Sequence, residues 1–470
     1  MDLASQAGVA FRVLMTDRHG RARTQPTSRS RAARPAPDYL QMSKIAAIAR
    51  GIGGLRWRLV ALIFVLGILL RLPMIGGQHR EGDEVIYMSL VGQLDNGHGY
   101  TLQKSLIVER GIVDRAQYDR PLFHHPPGGI ALFWLSYRMF GESGFPLVQI
   151  GCFALFFCSM LFLAHVLEIT KSDTGLLLVA LLSSFNPIMA HVTTKFWLDA
   201  PLLAFATLGS ALFLHSLKKK NLAIAVAAGI VVGYASLIKL TAFLIVPGIF
   251  LVCIATLRPL KWKTFLACAL CFAIPAVIVQ TPWEIWQWMA VGSPFPQWPS
   301  KPSETLLRSN RYVYFVTVVR SPWTYLTTTP MVVTTIIPSV ALLLLSYVRR
   351  KDDGNVNSGA AHLSTSYVRA AASACLLWMS IVIAFNMALG FAGYSILLRY
   401  LILLTPASVL LPSLLVPHCI GLRSHKGPFA TKFGLFLLVC SAVGILAEVA
   451  TGINAALHVE RALIVPFTGL

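Results

Sequence analysis

Charged residues are scarce in this chain: 13% of its 470 residues are Asp, Glu, Lys or Arg, about half the share of a soluble domain. Acidic residues are scarcer still, 20 against 40 basic ones. With 56% hydrophobic residues as well, an ordinary soluble globule is excluded. The ten-residue polar–apolar alternation of a membrane barrel is missing. Disulfide frameworks and zinc spacings are missing too. Nearly all of the eight cysteines fall inside or at the ends of apolar runs, and Cys268 and Cys271 read as small core residues on one helix face. No repeat of about 20–50 residues is visible, and no Gly/Pro-broken helices recur in two halves, so the inverted-repeat signature of secondary transporters is absent. Residues 1–41 lack an apolar h-region and so do not form a secretory signal peptide.

What is present is a series of apolar runs near the length that crosses a bilayer, which predicts an all-α, polytopic membrane helical bundle. The net charge of +20 could suggest nucleic acid, but the basic residues lie in the N-terminal tail and in short loops between apolar runs. That placement is the positive-inside pattern, and nucleic-acid binding is not expected. Residues 1–57 read as a basic, disordered cytoplasmic tail, with Met42 a candidate alternative start. Residues 58–410 read as the main membrane domain and 411–470 as a C-terminal transmembrane segment.

The first span is expected near 58–76, and the polar loop at 77–128 should then be exoplasmic. Further runs lie near 145–167, 174–191, 198–217, 221–238, 240–257 and 263–281; a polar, aromatic loop fills 282–325, and four more runs follow it. Lys218-Lys219-Lys220, Arg258/Lys261/Lys263, Arg349-Arg350-Lys351 and Arg423/Lys426/Lys432 all belong in the cytoplasm by charge. Traced backward, they put Asp199 outside and Lys171 inside, so residue 145 begins outside, where 77–128 already is. The apolar piece at 129–140 must therefore not cross, and at 1.5 Å per residue it reaches only about 20 Å against a core of about 30 Å. About 11–13 transmembrane helices are expected, with amphipathic interfacial helices in the first exoplasmic loop.

Chemistry-bearing residues are few and lie near the expected outer face. Asp83 and Glu84 follow the first span and open a stretch, 84–95, whose apolar positions recur at three and four, an amphipathic helix. In a soluble protein such a pair is a solvated surface feature; beside a membrane it faces head groups or a cavity. Asp199, in Trp197-Leu198-Asp199-Ala200-Pro201, is either an N-cap or a carboxylate at a membrane mouth, where an acid is costly unless paired, hydrated or functional. Lys239 and Arg399 are cations at the same face, where snorkelling is the ordinary explanation and a lipid phosphate the functional one. His124-His125-Pro126-Pro127 opens the 129–140 piece; two adjacent histidines rarely share one metal, so the prolines read as a helix entry. Tyr87, Trp197 and Trp283 are candidate substrate contacts, since interfacial rings can also stack on sugars. A divalent metal at the carboxylates is allowed, and nothing in the spacing requires one.

The order of these motifs resembles a known family. A long span is followed by Gly82-Asp83-Glu84…Tyr87, Gly97-His98-Gly99-Tyr100, His125-Pro126-Pro127, and a short apolar segment ending in Phe140-Gly141. Asn186-Pro187, Leu198-Asp199, Gly233…Lys239, Pro282-Trp283, Gly292-Ser293-Pro294 and Arg399-Tyr400…Pro406 come after. Over about 58–410 this is similar to the GT-C superfamily of polyprenyl-phosphate-dependent glycosyltransferases, in particular the group of protein O-mannosyltransferases and lipid A aminoarabinose transferases. Many relatives have Lys-Pro-Pro where this chain has His125-Pro126-Pro127.

The resemblance implies transfer of one sugar from a polyprenyl-phosphate-linked donor to a hydroxyl of a glycan, lipid or protein acceptor, with inversion. It implies Asp83 as the base, Glu84 or Asp199 as its orienting partner, and Arg399, Lys239 and His125 at the donor phosphate. The setting it implies is a bacterial inner membrane with the site on the exoplasmic side. A lipid-linked-saccharide flippase would place ionisable groups at mid-helix in several spans, an O-antigen-type polymerase would place a large basic loop late in the chain, and a purely structural membrane protein would not need the carboxylates.

Overall fold

A computed structural model describes residues 39–75, 82–111, 121–257 apart from 124, 261–293, 363–391 and 402–422, with scattered positions among 339–344 and 435–453. The chain divides into Met1–Gly53 and Gly54–Leu470; in the first unit only residues 39–53, helical, are described, and all that follows concerns the second. The described residues form helices and turns without a strand. In chain order the helices are α1 (Tyr39–Ile75), α2 (Gly82–Asp95), α3 (Leu106–Glu109), α4 (Gly128–Phe140), α5 (Gly144–Val166), α6 (Asp173–Phe185), α7 (Pro187–Thr194), α8 (Asp199–Lys219), α9 (Leu222–Ile238), α10 (Ile245–Thr256), α11 (Trp262–Val291), α12 (Thr365–Phe391) and α13 (Thr405–Leu422). Among them, five stretches are long and apolar enough to cross a membrane, or six if the bent pair α6–α7 is one span. The protein is an integral membrane protein built as a helical bundle.

Lipid-facing and core-facing sides separate along single helices. On α1, Leu55, Leu59, Leu62, Val65, Leu66, Leu69 and Leu72 are exposed and recur every three or four residues, one stripe of an apolar helix with no water to avoid. Between helices, small residues set the approach. A Cβ on Gly229 would lie 2.1 Å from the Phe272 carbonyl oxygen and one on Gly233 2.8 Å from that of Ala276. This GxxxG seam on α9 lets its backbone meet α11 directly, the contact that membrane helices use where burial of apolar surface supplies no driving force.

The direction of each helix follows from what its ends touch. Arg56, near the start of the bundle part of α1, meets Asp173 at the start of α6 at 3.0 Å; Arg71, near its end, meets Ser184 and Thr193. Lys218 at the end of α8 donates to the carbonyl of Val166 at the end of α5, so Asp199, at the other end of α8, shares its end of the bundle with the start of α5. Lys239, at the close of α9, pairs with Asp199.

α4 does not run the length of the bundle. Ser136 Oγ donates to the carbonyl of Gly144 at 2.8 Å, whereas eight residues of straight helix would span about 12 Å. The rings of Tyr137 and Phe145 stack at 5.6 Å. Phe133 in α4 and Phe145 in α5 both touch Phe196, with ring centroids at 3.9 and 4.5 Å. The chain therefore turns at Gly141–Ser143, and Gly144 is required there because a Cβ would lie 2.3 Å from the Ser136 oxygen. Arg138 pairs with Asp95 at 2.6 Å, setting the end of α4 beside the end of α2.

Two expectations shift. The stretch 84–95 is helical as its periodicity predicts, but it is packed far more completely than a surface helix: Val85, Ile86, Tyr87, Met88, Leu90 and Val91 are all buried, and so are Glu84 and Ser89. The aromatic loop expected from 282 begins later, because α11 carries both Pro275 and Pro282 and continues to Val291. Only positions 292–293 of the remainder are described.

Candidate active site

The site forms where the start of α2, the turn between α7 and α8, the end of α9 and the loop before α4 meet at one end of the bundle. The turn owes its shape to Asn186-Pro187. Proline cannot supply a backbone N–H, and the Asn186 side chain accepts from the N–H groups of Ile188 and Met189, both at 3.1 Å, capping α7 as a separate helix. α6 and α7 consequently meet at 42°, and the chain emerges into Lys195-Phe196-Trp197-Leu198.

Glu84 is held by this turn. Its Oε1 accepts the Phe196 backbone N–H at 2.6 Å, and the residue is 6% exposed. Asp83, one residue earlier on the first turn of α2, is half-buried and more open than Glu84. The carboxylates thus differ: Glu84 is bonded to backbone and buried, and Asp83 is the more open of the two.

Asp199 does not cap α8. Its Oδ1 accepts from Lys239 Nζ at 2.9 Å, with side-chain exposures of 1% and 10%. Its Oδ2 is buried without a hydrogen-bond partner among the described residues. An ion pair this deep is expensive to desolvate and is kept only if its partners are well placed. Gly128 and Gly129 bring the start of α4 against it, since a Cβ on Gly129 would lie 2.5 Å from Leu198 and one on Gly128 2.8 Å from the Leu237 carbonyl. Tyr234 ties the same place by donating to the Gly128 carbonyl at 3.0 Å.

His125 is half-buried, 5.4 Å from Phe123 and 6.4 Å from Tyr87 between ring centroids. Tyr100 donates to the backbone carbonyls of His125 and Pro126, and burial holds its phenol well above the ordinary range, so it remains an O–H donor. Trp283 meets Tyr100 edge-on at 5.8 Å and is 3% exposed. Trp197 is half-buried, with Lys195 Nζ 4.8 Å above its ring. Arg399 lies outside the described residues. Among the described residues, no three His, Cys, Asp or Glu side chains come together as a metal site.

Sequence reasoning missed three groups here. Lys195 is a 5% exposed cation in the Glu84-binding turn; its position four residues before Asp199 was the available signal. Tyr100 was noticed only as part of a motif. Glu284 lies one residue beyond Pro282-Trp283, where Gln280 donates to it at 2.6 Å and in turn meets Ser236 of α9 at 2.9 Å.

Part of the site, though not Asp83, Glu84, Tyr87 or Tyr100, falls within a stretch of known kind. Residues 124–286 match the family model for dolichyl-phosphate-mannose-protein mannosyltransferase. The match carries His125, Lys195, Asp199, Lys239, Trp283 and Glu284, and it bears out over that stretch the similarity to GT-C glycosyltransferases expected from the motifs. No curated protein sequence matches the chain significantly. Among solved structures, ArnT from Cupriavidus metallidurans bound to undecaprenyl phosphate is similar at 15% identity and a TM-score of 0.48, covering 87% of this chain and 77% of that one. The Archaeoglobus fulgidus oligosaccharyltransferase in complex with zinc and sulfate is similar at 12% and 0.48, covering 84% and 53%. AglB from the same organism, in complex with an inhibitory peptide and a dolichol-phosphate, is similar at 12% and 0.47, covering 84% and 56%. The chain therefore spans little more than half the length of the oligosaccharyltransferases.

Proposed function

We propose that the protein is a membrane glycosyltransferase that moves a sugar from a polyprenyl-phosphate-linked donor to an acceptor hydroxyl at the exoplasmic face. One observation carries this reading: Glu84 and Asp199, from segments 115 positions apart, are drawn to a single mouth with Lys239 and the more open Asp83, beside the stretch that matches mannosyltransferases. Asp83 takes the acceptor's proton, the freed oxygen attacks the anomeric carbon, and the bond from that carbon to the lipid phosphate breaks with its electron pair on phosphate. Attack opposite the leaving group inverts the centre. Lys239, held by Asp199, and His125 supply positive charge or a hydrogen bond to the departing phosphate, with Arg399 a third candidate. Glu84 fixes the first turn of α2 against the Phe196 amide, so that Asp83 is presented at a constant place. Of the candidate sugar contacts, Trp197 is the half-buried ring open to a substrate, and the buried Tyr87 and Trp283 support the site from behind. The opposite end of the bundle carries Lys218, Lys219, Lys220 and Lys171 and is the cytoplasmic one by charge.

Asp83→Asn keeps shape and removes the base. Transfer from a polyprenyl-phosphate sugar, measured in membranes containing equal amounts of protein, is expected to fall by about 10²–10⁴-fold, the usual contribution of a general base. Full activity in that variant would overturn the assignment.

A further inference from the structure

At the end of the bundle remote from Asp199, the ends of α5, α8 and α10 and the start of α12 leave a cavity of about 370 Å³. This falls in the size range of small-ligand pockets. Its lining combines polar side chains, Glu168, Lys171, Lys218 and Tyr367, with apolar ones that include Leu214 and Leu257.

The polar lining is built rather than incidental. Glu168 holds a left-handed backbone, φ 65°, a conformation that costs a non-glycine residue about 1 kcal/mol or more. It is fixed there by Lys171 and Lys218, each donating to its carboxylate at 2.7 Å. The same two lysines hold its carboxyl down at about 2, so it stays ionised and the three groups together carry one net positive charge. Lys218 also donates to the Val166 carbonyl, and Tyr367 to that of Leu167, which offsets part of the negative charge at the end of α5. Two ammonium groups have six N–H donors, of which these bonds occupy three. Lys219 and Lys220 follow directly.

We propose that this cavity binds a phosphate-bearing anionic headgroup, with the phosphate on Lys171 and Lys218 and the adjoining carbons on Leu214 and Leu257. It is separate from the candidate active site, being at the other end of α8, and does not rest on the function proposed above. Basic pockets between transmembrane helices, wet at the rim and apolar beneath, are the places where membrane proteins hold anionic lipid head groups. The three probes below separate a lipid from free phosphate.

The test is thermal unfolding of the full chain in detergent with dihexanoyl-phosphatidylglycerol, dihexanoyl-phosphatidylcholine or inorganic phosphate. The melting temperature is expected to rise saturably with the phosphatidylglycerol alone. Lys171→Gln, at an exposed side chain, and Leu257→Trp, which fills the cavity without altering a charge, should each cut that rise by half or more. An equal rise with inorganic phosphate, lost in the same variants, assigns the site to free phosphate instead of lipid. No rise, a rise matched by the phosphatidylcholine, or one that survives unchanged in either variant overturns the site.

Discussion

Two buried cations illustrate how single residues hold this molecule. Lys239 has a carboxylate partner, and removing it is informative because the pair is nearly sealed from water. Asp199→Asn takes the carboxylate out of this buried pair and should lower the melting temperature in detergent. Adding Lys239→Met removes the ammonium as well and should restore much of that stability, yet transfer activity should stay low, since the phosphate would lose one of the groups proposed to receive it. A double variant that recovers both would make the pair purely structural. Arg71, wholly buried on α1, is the contrasting case: among the described residues its hydrogen-bond partners are three neutral oxygens, those of Thr193, Gly67 and Ser184, and its guanidinium lies 4.0 Å from the Phe153 ring centroid. Ser184 has a specific need of it. The Ile188 N–H that would have reached the Ser184 carbonyl in a continuous helix is taken by Asn186, and Arg71 supplies the replacement. Arg71→Lys keeps the buried charge but loses the planar fork that reaches all three oxygens, whereas Arg71→Met removes the charge and leaves one carbonyl wanting. The expected order of melting temperatures is wild type, then Met, then Lys; a lysine variant as stable as wild type would sink the fork reading.

At the scale of elements, much of the fold was legible because a membrane helix announces itself by length and apolarity. The runs at 198–217, 221–238 and 240–257 correspond closely to α8, α9 and the stretch Leu240–Thr256. The short length of 129–140 was legible too. Its turn at Gly141–Ser143 was not, because one glycine at positive φ and a second that admits a serine carbonyl are visible only when the two helices are in contact. The run at 174–191 concealed the 42° bend at Asn186-Pro187. Of the site, the acids were legible as rare charges outside apolar runs, but the partnership of Asp199 with Lys239, and of Glu84 with the Phe196 amide, joins positions 40 and 112 apart and leaves no local signal. The α9–α11 seam connects the two matters, since α9 carries Lys239 at its end. Gly229→Ala would place a methyl 2.1 Å from a backbone oxygen, which no side-chain rotation relieves. It should lower the melting temperature and reduce transfer, while Gly151→Ala on α5, where nothing lies within 4 Å of the added carbon, should change neither. Equal behaviour of the two variants would show that the seam does not set the helix spacing.

At the scale of the whole molecule, the proposed chemistry depends on which side of the membrane each end of the bundle faces. The candidate site gathers its acids at the end that holds the α7–α8 turn, and the basic cluster Lys218-Lys219-Lys220 closes the other end of α8. The proposed orientation, with the lysines in the cytoplasm by their charge, would put Asp83 outside, where a polyprenyl-linked sugar would be presented to an external acceptor. Single cysteines test the orientation without touching the site. Asn96, exposed just beyond α2, and Asn221, exposed just after the lysine cluster, sit at opposite ends. In intact cells a membrane-impermeant maleimide should label Asn96→Cys above the wild-type background and leave Asn221→Cys unlabelled until the membrane is opened. The reverse pattern would put Asp83 and Lys239 in the cytoplasm and remove the exoplasmic transfer reaction. Labelling of both in intact cells would mean that α8 does not cross, and the division of the molecule into a catalytic end and a headgroup-binding end would fall with it.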